Sequence, residues 1–342
     1  MIDDKRTVDF FYPAEWRHEK NSLVAGLNEQ TRDWANEMGL ILPQDTELER
    51  MREALDAATW VGWVYPLNRK VEFLRFATDF TLWIVVLDDE LEKSPLGMDA
   101  RARTELLRGF ELMTEGNDAP GVSRYAAAYR DIVSRLQSLA GEEHGPRLTA
   151  RFVSMFKQML PMVVLEQPKA SLSWQDRDYY ETVRPLISQF LWYCMFVQIA
   201  NECYLPEAIA EDERVQRLGT LASLLFGLMN DVISLSNDDA GGPVLNAVLM
   251  HMHREGCNEA EAIAAVARWH NERIGELVQT SREVARSFGA FDTHVERYAH
   301  GVQNVLRGSV EWMLRTRRYT LPTSCWVRIV SEFGADAPAL LY

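Results

Sequence analysis

The chain has 342 residues, 47% of them hydrophobic, and a formal charge of −14 at neutral pH. That composition supports a sizeable core in one large domain or two ordinary ones. Basic residues never form a long run, which argues against nucleic-acid binding through phosphates and against docking on an anionic membrane.

Cys194, Cys203, Cys257 and Cys325 show no C-x-x-C spacing and read as ordinary thiols of a reducing compartment. The opening Met1-Ile2-Asp3-Asp4-Lys5-Arg6 is no signal peptide, and no apolar run approaches the ~18 residues needed to span a membrane. The expectation is a soluble, cytoplasmic protein.

In chain order the pattern is helical almost throughout, with no sustained alternation of period two. Residues 1–20 and 335–342 are expected to be irregular ends of a single domain covering 1–342. Helices are predicted from Ser22 to Met38, from Thr46 towards Trp60, and from Asn68 to Glu92. The third of these carries the uncharged run Phe80–Leu87 and then Asp88-Asp89-Glu90-Leu91-Glu92. On a helix Asp88 and Glu92 share one face, with Asp89 about 100° round from Asp88. Desolvated carboxylates repel unless a cation joins them, and oxygen ligands on one face suit magnesium. The competing reading is a solvated helix end.

Further helices are predicted at Asp99–Glu115, Ser123–Ala140 and Pro146–Glu166, then Trp174–Cys203 with an interruption near Arg184-Pro185. A long helix follows from Glu207 to about Asn237. Asn258-Glu259-Ala260-Glu261 resembles a capping box opening a helix to Ser287, and a last helix covers Asp292–Arg317. The Glu207 helix also ends in hard ligands. Asn230, Ser234 and Asp238, spaced by four, form one stripe of amide, hydroxyl and carboxylate oxygens behind an apolar segment. Two apolar helices that each end in such ligands imply an apolar cavity with a metal-lined mouth.

These motifs resemble those of class I terpene synthases, the single-domain microbial cyclases. Asp88-Asp89-x-x-Glu92 matches the aspartate-rich motif. Asn230-Asp231-x-x-Ser234-x-x-x-Asp238 matches the second metal motif, except that its last position is normally glutamate. Arg184, 46 residues before Asn230, matches the diphosphate-sensing arginine, and Arg318-Tyr319 matches the arginine–tyrosine pair that contacts diphosphate on closure. The order and spacing of all four extend the resemblance over most of the chain.

The resemblance implies an all-α helical bundle around a deep apolar cavity, with metal motifs at its mouth. It implies Mg²⁺-dependent ionisation of a prenyl diphosphate, farnesyl diphosphate being favoured, and cyclisation of the cation to a sesquiterpene. A diterpene synthase acting on geranylgeranyl diphosphate is the alternative. A trinuclear magnesium cluster would use Asp88 as the main bridging ligand, with Asp89 and Glu92 in support and Asn230, Ser234 and Asp238 holding one ion. Asp89 would pair with Arg318 in the closed state. Trp312 and Phe80 are candidate pocket aromatics, and Ser188 stands at the family's effector position. Relatives commonly form homodimers.

Several positions depart from the family pattern. Asp238 is one methylene shorter than glutamate, Asn237 replaces a common basic residue, and Ile84 and Val85 replace aromatics. Ile187, at the linker position, cannot relay a polar contact. A chain-elongating prenyltransferase would need a second full aspartate-rich motif, and Asn230-Asp231-x-x-Ser234 is not one. A non-catalytic isoprenoid-binding protein is the competing reading from another class. His251-x-His253 lacks the spacing for two ligands on one helical turn.

Overall fold

Apolar stripes at helical spacing become helices in nearly every segment where they occur. The computed structural model describes residues 6–16, 18–93, 100–117, 120–166, 176–236, 238, 245–319, 321–322 and 324–331. These belong to two units, Lys20–Leu165 with Thr316–Arg318, and Met1–Glu19 with Glu166–Arg315 and Tyr319–Tyr342. Residues 335–342 lie outside the described part of the chain.

The first unit holds α1 (Leu27–Glu37), α2 (Thr46–Leu55), α3 (Ala57–Val64), α4 (Val71–Lys93), α5 (Ala100–Thr114) and α6 (Ser123–Glu166). The helix expected from Thr46 to Trp60 is broken at Asp56, which adopts φ 49° and caps α3 by accepting from Thr59 N. A residue with a short polar side chain tolerates that left-handed conformation better than most. The two helices expected over 123–166 meet in a kink at Gly141, whose φ of 74° and ψ of 174° are non-helical. Helix α4 is apolar over most of its surface from Phe73 to Leu87, and nearly all of that stretch is buried within its unit. Its Trp83 ring packs against Phe156 of α6 at 5.7 Å, and Phe110 of α5 meets the same Phe156 at 5.9 Å.

Two charges, Arg75 and Asp79, interrupt that stretch and pair with each other. Asp79 is fully buried and accepts from Thr31 Oγ1 at 2.6 Å, Arg75 Nε at 2.9 Å and Arg135 Nη1 at 2.9 Å. Arg135 also pairs with Asp131, which accepts from Trp34 Nε1. A buried carboxylate with this many donors is satisfied by the fold itself and ties α1, α4 and α6 together.

The second unit holds β1 (Arg6–Phe11), α7 (Arg177–Ile187), α8 (Phe190–Ala200), α9 (Glu207–Ala210), α10 (Glu213–Ile233), α11 (Ala247–Glu255), α12 (Glu259–Val284), α13 (Asp292–Met313) and β2 (Cys325–Val330). The two strands pair in parallel, Arg6 with Cys325 through Phe11 with Val330. The opening is therefore not irregular throughout. In β1 the buried Val8 and Phe10 alternate with the more exposed Thr7 and Asp9, but over too few residues to register as a period. Asn271 fastens β1 by accepting from Phe11 N at 2.8 Å and donating to Asp9 O at 2.9 Å. Next to it His270 Nε2 meets the buried Tyr12 hydroxyl at 2.8 Å. Burial lowers the His270 pKa to about 4, so the ring is neutral, accepting from Tyr12 and donating through Nδ1 to Asn271.

The predicted interruption of the 174–203 helix falls at Ser188–Gln189, with Gln189 at φ 60°, and not at Pro185. Pro185 stays in the last turn of α7, where it removes one donor without breaking the helix. The helix expected from Glu207 divides at Asp212, which caps α10. The capping box of Asn258 and Glu261 is formed, and α11 is an element that the sequence pattern did not announce. Among the described residues no helix is long and apolar enough to cross a membrane.

Candidate active site

Helix α10 presents Asn230 in its last turn, with Ser234 at its C-cap and Asp238 one turn further on. Ser234 Oγ donates to Asp238 Oδ2 at 2.7 Å, so the predicted stripe is drawn together at its far end. Arg184, from the last turn of α7, donates through Nη2 to Asn230 Oδ1 at 2.9 Å and to Asp231 Oδ1 at 2.6 Å. Its stem crosses Gly227, where an added Cβ would lie 2.7 Å from Arg184 Cγ. A side chain at 227 would therefore displace the arginine.

Asp231 is fully buried and anchors this arrangement. Besides Arg184 it accepts from the Tyr180 hydroxyl at 2.7 Å and from Ala247 N at 2.6 Å. Its hydrogen-bond partners among the described residues are all donors, which is the setting of a carboxylate, although burial raises its pKa above the ordinary range. Burial raises the Tyr180 hydroxyl well above its usual range, which keeps it a donor. Asn230 Nδ2 donates to the Tyr319 hydroxyl at 3.1 Å, and the Tyr319 ring meets Trp312 edge-on at 5.9 Å. Arg184, Asn230, Tyr319 and Trp312 thus form one connected group.

Ser188 serves the helix break. The Ser188 and Ser223 hydroxyls share a hydrogen bond at 2.6 Å, and Pro185 O accepts from them, at 2.8 Å from Ser223 Oγ and 3.2 Å from Ser188 Oγ. Ile187 is buried and apolar.

In the other unit Asp88 and Asp89 are half-buried near the end of α4. Arg318 Nη2 donates to Asp89 Oδ1 at 2.8 Å, the pairing expected from the resemblance. The Glu92 side chain lies outside the described residues. Phe80 is fully buried, its ring 6.1 Å from Trp83 and 5.9 Å from Phe152, inside the aromatic core of that unit.

Among the described residues no three His, Cys, Asp or Glu side chains gather at one point. The donor set at the end of α10 is mixed: an amide oxygen, a hydroxyl and a carboxylate. Because Ser234 gives its proton to Asp238, its lone pairs remain available to a cation. Asp238 Oδ2 is engaged and Oδ1 has no hydrogen-bond partner among the described residues. Hard oxygens of these three kinds fit magnesium and do not suit a soft metal.

Residues 79–276, more than half of the chain, match the family described as "Terpene synthase family 2, C-terminal metal binding". The chain belongs to this family. It is a class I microbial terpene synthase, a carbon–oxygen lyase acting on diphosphates. It is 23% identical over 243 residues to 10-epi-cubebol synthase of Sorangium cellulosum, covering 70% of this chain and 76% of that protein. Over 123 residues it is 28% identical to (−)-β-caryophyllene synthase ((2E,6E)-farnesyl diphosphate cyclizing) of Saccharothrix espanaensis, covering 34% of this chain and 35% of that one. A variant of cucumene synthase shares the fold with a TM-score of 0.77 at 22% identity, covering 90% of this chain and 99% of that one.

In this terpene synthase the surroundings of the second motif include residues that motif reading passed over. Gly227, Tyr180 and Asn246 touch Arg184, Asp231 or Asp238 and belong to no ligand pattern. Gly227 had a faint signal, a glycine inside an apolar helix one turn before Asn230. Tyr180 stands four residues before Arg184, on the same face of α7. Asn246 had none, since its helix was not foreseen.

Proposed function

We propose that this terpene synthase is a sesquiterpene cyclase, the whole chain acting as one catalytic domain that ionises farnesyl diphosphate and cyclises the resulting cation. The observation that carries the reading is the contact of Arg184 with Asn230, a diphosphate-binding type of side chain held against a hard-ligand stripe. The relative named for cyclising farnesyl diphosphate favours the C15 substrate over the C20 alternative.

Arg184 and Arg318 donate paired hydrogen bonds to phosphate oxygens, and Tyr319 adds a hydroxyl donor. Asn230, Ser234 and Asp238 would hold one magnesium ion; Asp88 would bridge two more, with Asp89 and Glu92 in support. Bound magnesium supplies Lewis-acid stabilisation of the departing diphosphate. Trp312 offers a ring face to the hydrocarbon cation, an interaction that neither adds a nucleophile nor admits water. Phe80 contributes from within the apolar core. Ser188 reports the helix break to Pro185 and Ser223.

The test is incubation of the full chain with geranyl, farnesyl and geranylgeranyl diphosphates, with magnesium or with excess chelator, followed by gas chromatography–mass spectrometry. The expected outcome is a cyclic C15 product from farnesyl diphosphate that disappears in chelator. A C20 product alone would replace the substrate assignment. Binding of all three without turnover would point to the non-catalytic reading. Light scattering on the same sample tests the homodimer.

A further inference from the structure

Asn246 precedes α11 and is fully buried, and its side-chain amide uses every hydrogen-bonding position it has. Oδ1 accepts from Val248 N at 2.8 Å and Leu249 N at 3.2 Å, which caps the helix. Nδ2 donates to Asp231 O at 2.9 Å and to Asp238 Oδ2 at 2.7 Å. Four partners leave no ambiguity of orientation. Turning the amide over would face its oxygen with a carbonyl and a carboxylate, and its NH₂ with two N–H groups.

Asp238 is thereby gripped at one oxygen from two sides, by Asn246 Nδ2 and by Ser234 Oγ, both at 2.7 Å. Two donors at defined positions set the plane of the carboxylate and leave Oδ1 for another partner. The anchor itself is rigid. Asn246 is tied to α10 through the Asp231 carbonyl, and the Asp231 carboxylate accepts from Ala247 N, so α10 and α11 lock each other at this point.

We propose that Asn246 is a positioning residue for the metal site: it seats the Asp238 carboxylate so that this shorter acid completes the Asn230–Ser234 set. The inference rests on the reading of that set as a magnesium site. An aspartate has one side-chain rotation fewer than a glutamate to restrain, so a clamped aspartate is the better organised ligand where a fixed amide lies within reach.

The test is calorimetric binding of inorganic diphosphate to the full chain at graded magnesium concentrations, with melting temperature as the check on folding. Asn246→Ser keeps a helix-capping oxygen but withdraws the donor from Asp238. We expect it to fold and to need about tenfold more magnesium for half-maximal diphosphate binding, in line with the loss of a supporting contact behind a metal ligand. An unchanged magnesium requirement overturns the inference. Asp238→Glu leaves the helix cap untouched and decides the matter if the serine variant does not fold. If Asn246 seats the acid, lengthening it breaks the seat and the magnesium requirement rises. If length alone limits this ligand, the requirement falls or stays the same, and the inference is wrong. Asn230→Ala separates the two levels. A raised magnesium requirement in that variant with none in Asn246→Ser sinks only the role of Asn246. No change in either sinks the metal-site reading as well.

Discussion

Asp231 and Asp89 each receive a hydrogen bond from an arginine, at 2.6 Å and 2.8 Å, yet their surroundings differ. Asp231 is wholly buried, with a tyrosine hydroxyl and a backbone amide as further donors, and the arginine it holds is itself 12% exposed. Asp89 is 10% exposed and its arginine 17%, and that arginine lies in a short segment attached to its unit by contacts such as Thr316 Oγ1 to Ala54 O. Both pairs are largely shielded from solvent, but the Asp231 pair is built into the helix framework by further donors, whereas the Asp89 pair holds a short segment against α4. Asp79 makes the same point within a single helix. Nine residues before Asp88, it is satisfied by three side chains and buried, which suits support and not ligation.

Four measurements test how far the two pairs differ. The largest effect is expected from Asp88→Ala and Asn230→Ala, which should abolish product formation while far-UV circular dichroism stays unchanged; product at wild-type rates would remove both clusters from the chemistry. Asp231→Ala strands a buried guanidinium and should cost about 3–5 kcal/mol of unfolding free energy in urea. A loss below about 1 kcal/mol would remove Asp231 from the structural framework.

The third concerns His270, which belongs to the same buried framework. Its pKa of about 4 in the fold lies below its ordinary 6.5, so the unfolded chain binds the extra proton first. Stability should therefore fall as pH drops from about 6.5 to 4, by about 3 kcal/mol from this group. His270→Gln should flatten that part of the stability–pH curve, measured relative to its own plateau. The smallest effect is expected from Asp89→Asn, about 1–2 kcal/mol in urea, since the amide oxygen can still accept from Arg318. A loss of about 3 kcal/mol or more would make Asp89 as structural as Asp231.

The candidate metal motifs were legible because ligation would need particular side chains at fixed helical intervals. Asp88, Asn230, Ser234 and Asp238 could be placed on their helix faces from spacing alone. Pro185 shows the limit of that reading, since its local rule predicts a break that the structure moves to Gln189. Phe80 illustrates another. Periodicity puts it on the face of Asp88, but only packing shows its ring among Trp83 and Phe152.

The helical class, most helix positions and the candidate ligand and arginine motifs could be read from the residues alone. Each of those depends on residues a few positions apart, or on a motif whose chemistry dictates its spacing. Only the tertiary structure decided that β1 pairs with β2, that Asp231 is support for Arg184, and that Asn246 grips Asp238. Those contacts join residues 8 to 319 positions apart through burial and the exhaustion of hydrogen-bonding partners. No local pattern encodes which distant donor a buried acceptor will meet.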